Sequence, residues 1–143
     1  MTPVDAKLLT REILLGFWKV HILHHAAEHP IIGQWVLTEL RRHGYDISPG
    51  TLYPLLKRLE RNGWLRSEAA VGAGKRRRRY YHLTRRGAAV LEVLRETVVE
   101  LHHEVVEEAV AHSARKTFRP SHESLGPPGV APARRERRSG PKA

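Results

Sequence analysis

Residues 48–63, SPGTLYPLLKRLERNG, constrain the fold of this chain more than any other stretch. Leu52, Leu55, Leu56 and Leu59 fall at i, i+3, i+4 and i+7, the spacing of one buried helical stripe. Tyr53, Lys57 and Arg61 follow one another at four-residue steps, so they share a different face. That face is basic and carries one aromatic hydroxyl. A helix held by leucines on one side, with cations on the other, can bind a polyanion. Ser48 suits the N-cap, and Pro49 suits the first helical position, where its missing N–H would be unpaired anyway. Asn62 followed by Gly63 reads as a stop. Pro54 interrupts the pattern. An interior proline costs about 3 kcal/mol, a cost that shrinks if the first regular turn starts nearer Thr51.

The chain has 143 residues, enough for one domain with its own core. It has no cysteine, which excludes disulfides and thiolate metal sites and gives no sign of an oxidising compartment. The N-terminus shows no charged region leading into an apolar run and a cleavage site. No apolar run approaches the roughly 20 residues that span a bilayer. A soluble, cytoplasmic protein with no membrane partner is expected. Net charge is +10, unevenly placed. Residues 1–63 carry +2, residues 64–87 carry +7, residues 88–115 carry −4 and residues 116–143 carry +5. A charge run alone is ordinarily a solvated surface. A basic stripe beside a basic helix face is an electrostatic footprint for nucleic acid.

Residues 8–28 read as a helix whose apolar surface, with Leu9, Ile13, Phe17, Val20 and Leu23, is wider than one core-facing stripe needs. Two partners are expected for it. His29 and Pro30 end it, and Ile31, Ile32 and Gly33 make a short connection. Residues 33–43 form a second helix with Val36, Leu37 and Leu40 inward, Arg41 and Arg42 in the last turn, and Gly44 as its C-terminal cap. Two helices joined by a few residues that include glycine outline a helix-turn-helix, a pattern that many helical domains share.

The next segment narrows the choice. Residues 64–68 alternate as a strand does. Residues 71–75, VGAGK, make a flexible hairpin tip, and residues 76–84 carry a second strand. A helix-turn-helix followed by a basic hairpin is a winged helix. Lys75, Arg76, Arg77, Arg78 and Arg79 repel one another at the wing unless phosphates neutralise them. Thr84 caps a long last helix over about residues 85–113. Leu91, Leu94, Val98, Leu101 and Val105 are spaced 3, 4, 3, 4 along it, the pattern of a coiled-coil seam. Such a helix has too little of its own domain to bury against, so a second copy is expected to cover it; folding back on its own domain is the alternative. From about Lys116 a proline-rich basic tail lacks the apolar area to offset ordering entropy. The expected fold is mainly α with a small two-stranded β wing. It comprises a winged helix-turn-helix domain over residues 1–84, a dimerisation helix over 85–115 and a disordered basic tail over 116–143.

Three stretches resemble the PadR family of bacterial transcriptional regulators: Pro30-x-x-Gly33; residues 44–60, GYDISPGTLYPLLKRLE; and Arg79-Tyr80-Tyr81-x-Leu83-Thr84-x-x-Gly87. The likeness covers roughly residues 8–112, and its middle motif is long. It implies a winged helix-turn-helix, a C-terminal helix that dimerises, and a pseudo-palindromic promoter operator, usually bound by a repressor that an effector releases. The terminal helix is similar to that of the short-chain branch. Gln34-Trp35 follows Gly33, where the family often has an aromatic residue next. Pro54 belongs to the family's own helix motif.

On this reading the third helix enters the major groove. Ser48, Gly50 and Thr51 lie near base edges or phosphates. Tyr53, which the resemblance also points to, offers its hydroxyl, and Lys57, Arg58 and Arg61 suit phosphate oxygens. The wing cations lie along the adjacent minor groove or backbone. A partly buried core position is the alternative for Tyr53, and a solvated surface position for Arg58. No cofactor is expected unless a metal ion is the effector. His21 and His25 stand at i, i+4, within reach of one ion, and His102 or His103 of a partner's last helix would complete an interfacial site for zinc or nickel. Protonation of these histidines is another input, and a small aromatic effector beside Trp18 and Trp35 a third. A protein that binds nucleic acid by charge alone remains a contrasting reading. For an enzyme there is no nucleophile beside a base, no phosphate loop and no paired carboxylates.

Overall fold

The structure, a computed structural model, describes residues 2–70 and 78–117. Its first helix starts earlier than periodicity predicts. Thr2 and Asp5 form a capping box: Thr2 Oγ1 accepts the Asp5 N–H and Asp5 Oδ2 accepts the Thr2 N–H, each at 3.2 Å. Helix α1 (Pro3–Leu9) then runs through a π-helical turn (Thr10–Leu14) into α2 (Leu15–Glu28). Trp18, Ile22, Leu23 and Ala26 of α2 are buried, while Val4, Leu8, Ile13 and Phe17 remain exposed nearer the N-terminus.

Residues Ile31 and Ile32 are a strand, β1, and not the simple connection expected from so short a run. They pair antiparallel with Tyr81 and Tyr80 of β3 (Arg79–Leu83). Strand β2 (Leu65–Ala69) pairs with the other edge of β3, so the sheet has three strands in the order β1-β3-β2. The expected two-stranded wing is thus anchored by a third strand at its base. Lys75, Arg76 and Arg77, with the rest of the hairpin tip, lie outside the described residues, as does the tail beyond Thr117.

Helix α3 (Gly33–Arg42) buries Val36, Leu37 and Leu40, and α4 (Pro49–Arg61) buries Leu52, Leu55, Leu56 and Leu59. Both helices end alike. Gly44 at φ +90° and Gly63 at φ +74° take the left-handed conformation. The following N–H groups of Tyr45 and Trp64 reach back to the Leu40 and Leu59 carbonyls at 3.2 and 3.0 Å. Glycine adopts that conformation without the Cβ clash other residues meet. Pro54 does not delay the start of α4, which is helical from Pro49. The carbonyl deprived of a partner belongs to Gly50, which is exposed.

Thr84 caps α5 (Arg85–His102) by accepting the Gly87 N–H at 3.0 Å. A Cβ on Gly87 would lie 2.1 Å from the Trp64 carbonyl oxygen; the bare backbone is what lets α5 start against the sheet. A second π-helical turn (His103–Glu108) leads into α6 (Ala109–Thr117). Helix α5 packs on α2 through Leu91, which is only 2% exposed and belongs to the chain's own core, with Val90 and Leu94 half-buried beside it. The seam read from the sequence therefore begins too early: Leu91 is taken up by this chain, and its exposed members are Val98, Leu101 and Val105.

Candidate nucleic-acid interface

The leucine stripe of α4 settles which residues face out. With Leu52, Leu55, Leu56 and Leu59 in the core, Tyr53, Lys57, Arg58 and Arg61 are exposed, Tyr53 by 44%. Tyr53 is thus a surface side chain and not a core tyrosine. Its ring rests on the start of α3. A Cβ on Gly33 would stand 2.6 Å from Tyr53 Cε1 and 3.0 Å from its hydroxyl oxygen. Gly33 is therefore part of the site, a role that spacing within α4 gave no sign of.

Between α4 and the base of the wing run two adjoining hollows that share Lys57, Arg79 and Tyr81. One adds Tyr53 and Arg78, the other Arg61 and Glu60. The two walls are tied together. Arg79 Nη1 donates to Ser67 Oγ at 2.9 Å, and Ser67 Oγ donates to Glu60 Oε1 at 2.6 Å. Burial raises the Tyr81 phenol above its ordinary value, and the Glu60 charge adds to the effect. Ser48 and Thr51 are partly occupied by capping: Ser48 Oγ accepts the Thr51 N–H at 3.3 Å and lies 3.2 Å from Thr51 Oγ1. Gly50 is exposed with nothing nearer its absent Cβ than Ser48 Oγ at 3.8 Å.

Lys57, Arg58, Arg61 and Arg78 have no ion pair or side-chain hydrogen bond among the described residues. On α3, by contrast, Arg42 donates to both oxygens of Glu39, at 2.6 and 3.0 Å, and Arg41 Nε donates to the Ile47 carbonyl at 3.0 Å. Lys57, Arg61 and Arg78 lie along one groove, where unpaired cations hold a positive field that a phosphate backbone neutralises.

The candidate metal-binding histidines fall into two groups. His21 and His25 meet His43, at the C-terminus of α3, with ring centroids 5.2 to 6.3 Å apart. Burial lowers the His21 pKa, and the neighbouring His43, His25 and His24 add to this. Glu39 is held down to about 2 by its bonds from Arg42. His102 and His103 lie beyond, at the end of α5, beside Glu107 at 3.6 and 2.7 Å. Within this chain they are not brought to His21 and His25. Trp18 does not offer an effector surface, because it is buried in the core at 2% exposure. Trp35 is half-buried, with its ring against His25 and His29.

A helix-turn-helix whose second helix turns a basic face outward, followed by an antiparallel sheet, defines a winged-helix protein. The chain belongs to the PadR-like family of transcriptional regulators, which its residues 22–93 match. It is 49% identical over 96 residues to Transcriptional regulator Rv3488 of Mycobacterium tuberculosis, across 67% of this chain and 89% of that one. A PadR-like transcription factor of Bacteroides fragilis superposes with a TM-score of 0.61 at 27% identity, covering 73% of this chain and 96% of its own. A Streptococcus transcriptional regulator gives a TM-score of 0.60 at 27% identity, over 69% and 96% of the two chains. Among the described residues no helix is long and apolar enough to cross a membrane.

Proposed function

We propose that this transcriptional regulator binds double-stranded DNA in a sequence-specific way, as a homodimer on a pseudo-palindromic operator. It acts as a repressor that an effector releases, and it is not an enzyme. The observation that carries this reading is the groove between α4 and the wing, where exposed Tyr53 and three unpaired cations, Lys57, Arg61 and Arg78, converge. Helix α4 enters the major groove. Gly50, Thr51 and Tyr53 face the bases, and Lys57, Arg58 and Arg61 set the register on phosphates. Arg78 and Arg79, continued by Lys75, Arg76 and Arg77, follow the flanking backbone. Residues 1–84 are the DNA-binding unit, residues 85–115 the dimerisation helix, and residues 116–143 a basic tail that adds salt-sensitive attraction.

Footprinting the full chain on the DNA upstream of its own gene, beside scrambled DNA of equal length and composition, tests the proposal. A protected two-fold site, bound about a thousandfold or more tighter than the scrambled duplex, is expected. Equal affinity for both duplexes, with a steep salt slope, would make the protein a charge-driven binder of nucleic acid.

A further inference from the structure

We propose that His21, His25 and His43 form a binding site for one divalent transition-metal ion of the zinc type per chain. His21 and His25 lie one turn apart on α2, and His43 closes the C-terminal end of α3. One ligand nitrogen from each lies within 4.8 Å of the other two. Nitrogens about 2.1 Å from a tetrahedral ion are themselves about 3.4 Å apart. Gathering these three around an ion takes side-chain rotation and no new backbone path.

A second observation points to a ligand. His25 Nε2 is buried and has no hydrogen-bond partner. Its ring is fixed from the other side, where Nδ1 lies 3.3 Å from Glu28 Oε2. A carboxylate there accepts a hydrogen bond from Nδ1–H and leaves the lone pair on Nε2. That is how metal-bound imidazoles are supported. Left dry, a polar atom of this kind is destabilising. An ion on Nε2 removes the penalty.

The surroundings select the ion. All three donors are imidazole nitrogens and the chain has no cysteine, which favours zinc, cobalt or nickel over soft ions. Glu39 Oε1, 3.3 Å from His43 Nε2 and 4.0 Å from His25 Nε2, balances the charge. Arg42 already engages both Glu39 oxygens, so a fourth position stays open to water. Tyr45 Oη, 3.1 Å from His21 Nε2, borders the site. An ion here ties α2 to the end of α3 and to the turn that leads into α4. The site exists whether or not α4 reads DNA. A second grouping, His24, His25 and Glu28, shares His25. It uses the side of the ring that Glu28 already satisfies and leaves Nε2 dry.

Titrating metal-free full-length protein with Co²⁺, followed by its visible ligand-field bands, and with Zn²⁺ by calorimetry, tests the assignment. One ion per chain is expected, in a four-coordinate cobalt spectrum that zinc displaces. His43→Ala and His21→Ala should each weaken binding by more than the about tenfold to hundredfold that loss of a supporting carboxylate costs. His24→Ala should leave binding unchanged. Circular dichroism checks that each variant is folded, and the Gln substitutions at 21 and 43 replace any Ala variant that is not. The proposal is overturned by absence of binding, by binding that survives His43→Ala, or by loss in His24→Ala alone. One ion per two chains, lost in His102→Ala or His103→Ala, overturns it equally.

Discussion

At the scale of the residue, Gly33 and Gly50 show how the interface is shaped by what is absent. Gly33 makes room for the Tyr53 ring, and a methyl group there would stand 2.6 Å from it. Gly33→Ala should swing Tyr53 off its seat and weaken operator binding at least about tenfold, or 1.4 kcal/mol, with the helical circular dichroism unchanged. An unaltered affinity in a gel-shift titration would show that the seat does not matter. Gly50 poses the opposite case. The chain has space for a Cβ there, and alanine in a helix is favoured over glycine by roughly 0.5–1 kcal/mol. The fold alone therefore prefers alanine, and close approach of a phosphate or base edge gives glycine its reason. Gly50→Ala should raise the unfolding temperature slightly and weaken DNA binding; if both rise, DNA does not approach this backbone. Tyr53, Lys57 and Arg61 were legible because a four-residue step defines a helix face. Gly33, Glu60 and Ser67 were not, because each acts across the fold on a residue distant in sequence. His43 was hidden for the same reason: it joins His21 and His25 only once α3 packs against α2.

At the scale of the element, α3 and α4 were readable because a leucine stripe, a cap and a glycine stop all agree on each. The elements that periodicity missed are those too short or too polar to show a period. Strand β1 is two residues long and is defined by its partner Tyr81. The first turns of α1 are set by a capping box, whose bonds involve Thr2 and Asp5 and no apolar residue. Leu91 was misplaced because a heptad does not reveal where a helix leaves its own core. The unpaired cations of α4 give this scale its own prediction. A cation that contacts a phosphate releases counterions, and each such contact contributes about 0.9 to the slope of log affinity against log salt. Lys57→Ala should lower that slope by about 1 and weaken specific and scrambled duplexes alike. A loss confined to the specific duplex would instead place Lys57 on a base.

At the scale of the whole molecule, the outer surface of the last helix is the feature the single chain does not account for. Beyond Leu94 it runs past the domain with Val98, Leu101 and Val105 exposed by 44%, 41% and 58%, and Val99, Val106 and Val110 also exposed. The N-terminal helix adds Leu8, Ile13 and Phe17. An apolar strip of this extent marks an interaction surface, and closed two-fold pairing is the commonest way for identical chains to cover one. The pairing matters for DNA because two recognition helices must stand about one helical turn of DNA apart, near 34 Å, to meet both half-sites. Leu101→Asp places a carboxylate in the strip without touching the winged-helix core. It should cost the proposed dimer at least about 2 kcal/mol, about thirtyfold in dissociation constant. Sedimentation at micromolar concentration should show a shift to monomer, and the operator footprint should shrink to a weak half-site. A variant that still sediments as a dimer would move the interface elsewhere. One that is monomeric yet protects the full operator would show that the two helices are held in register by the DNA and not by this seam.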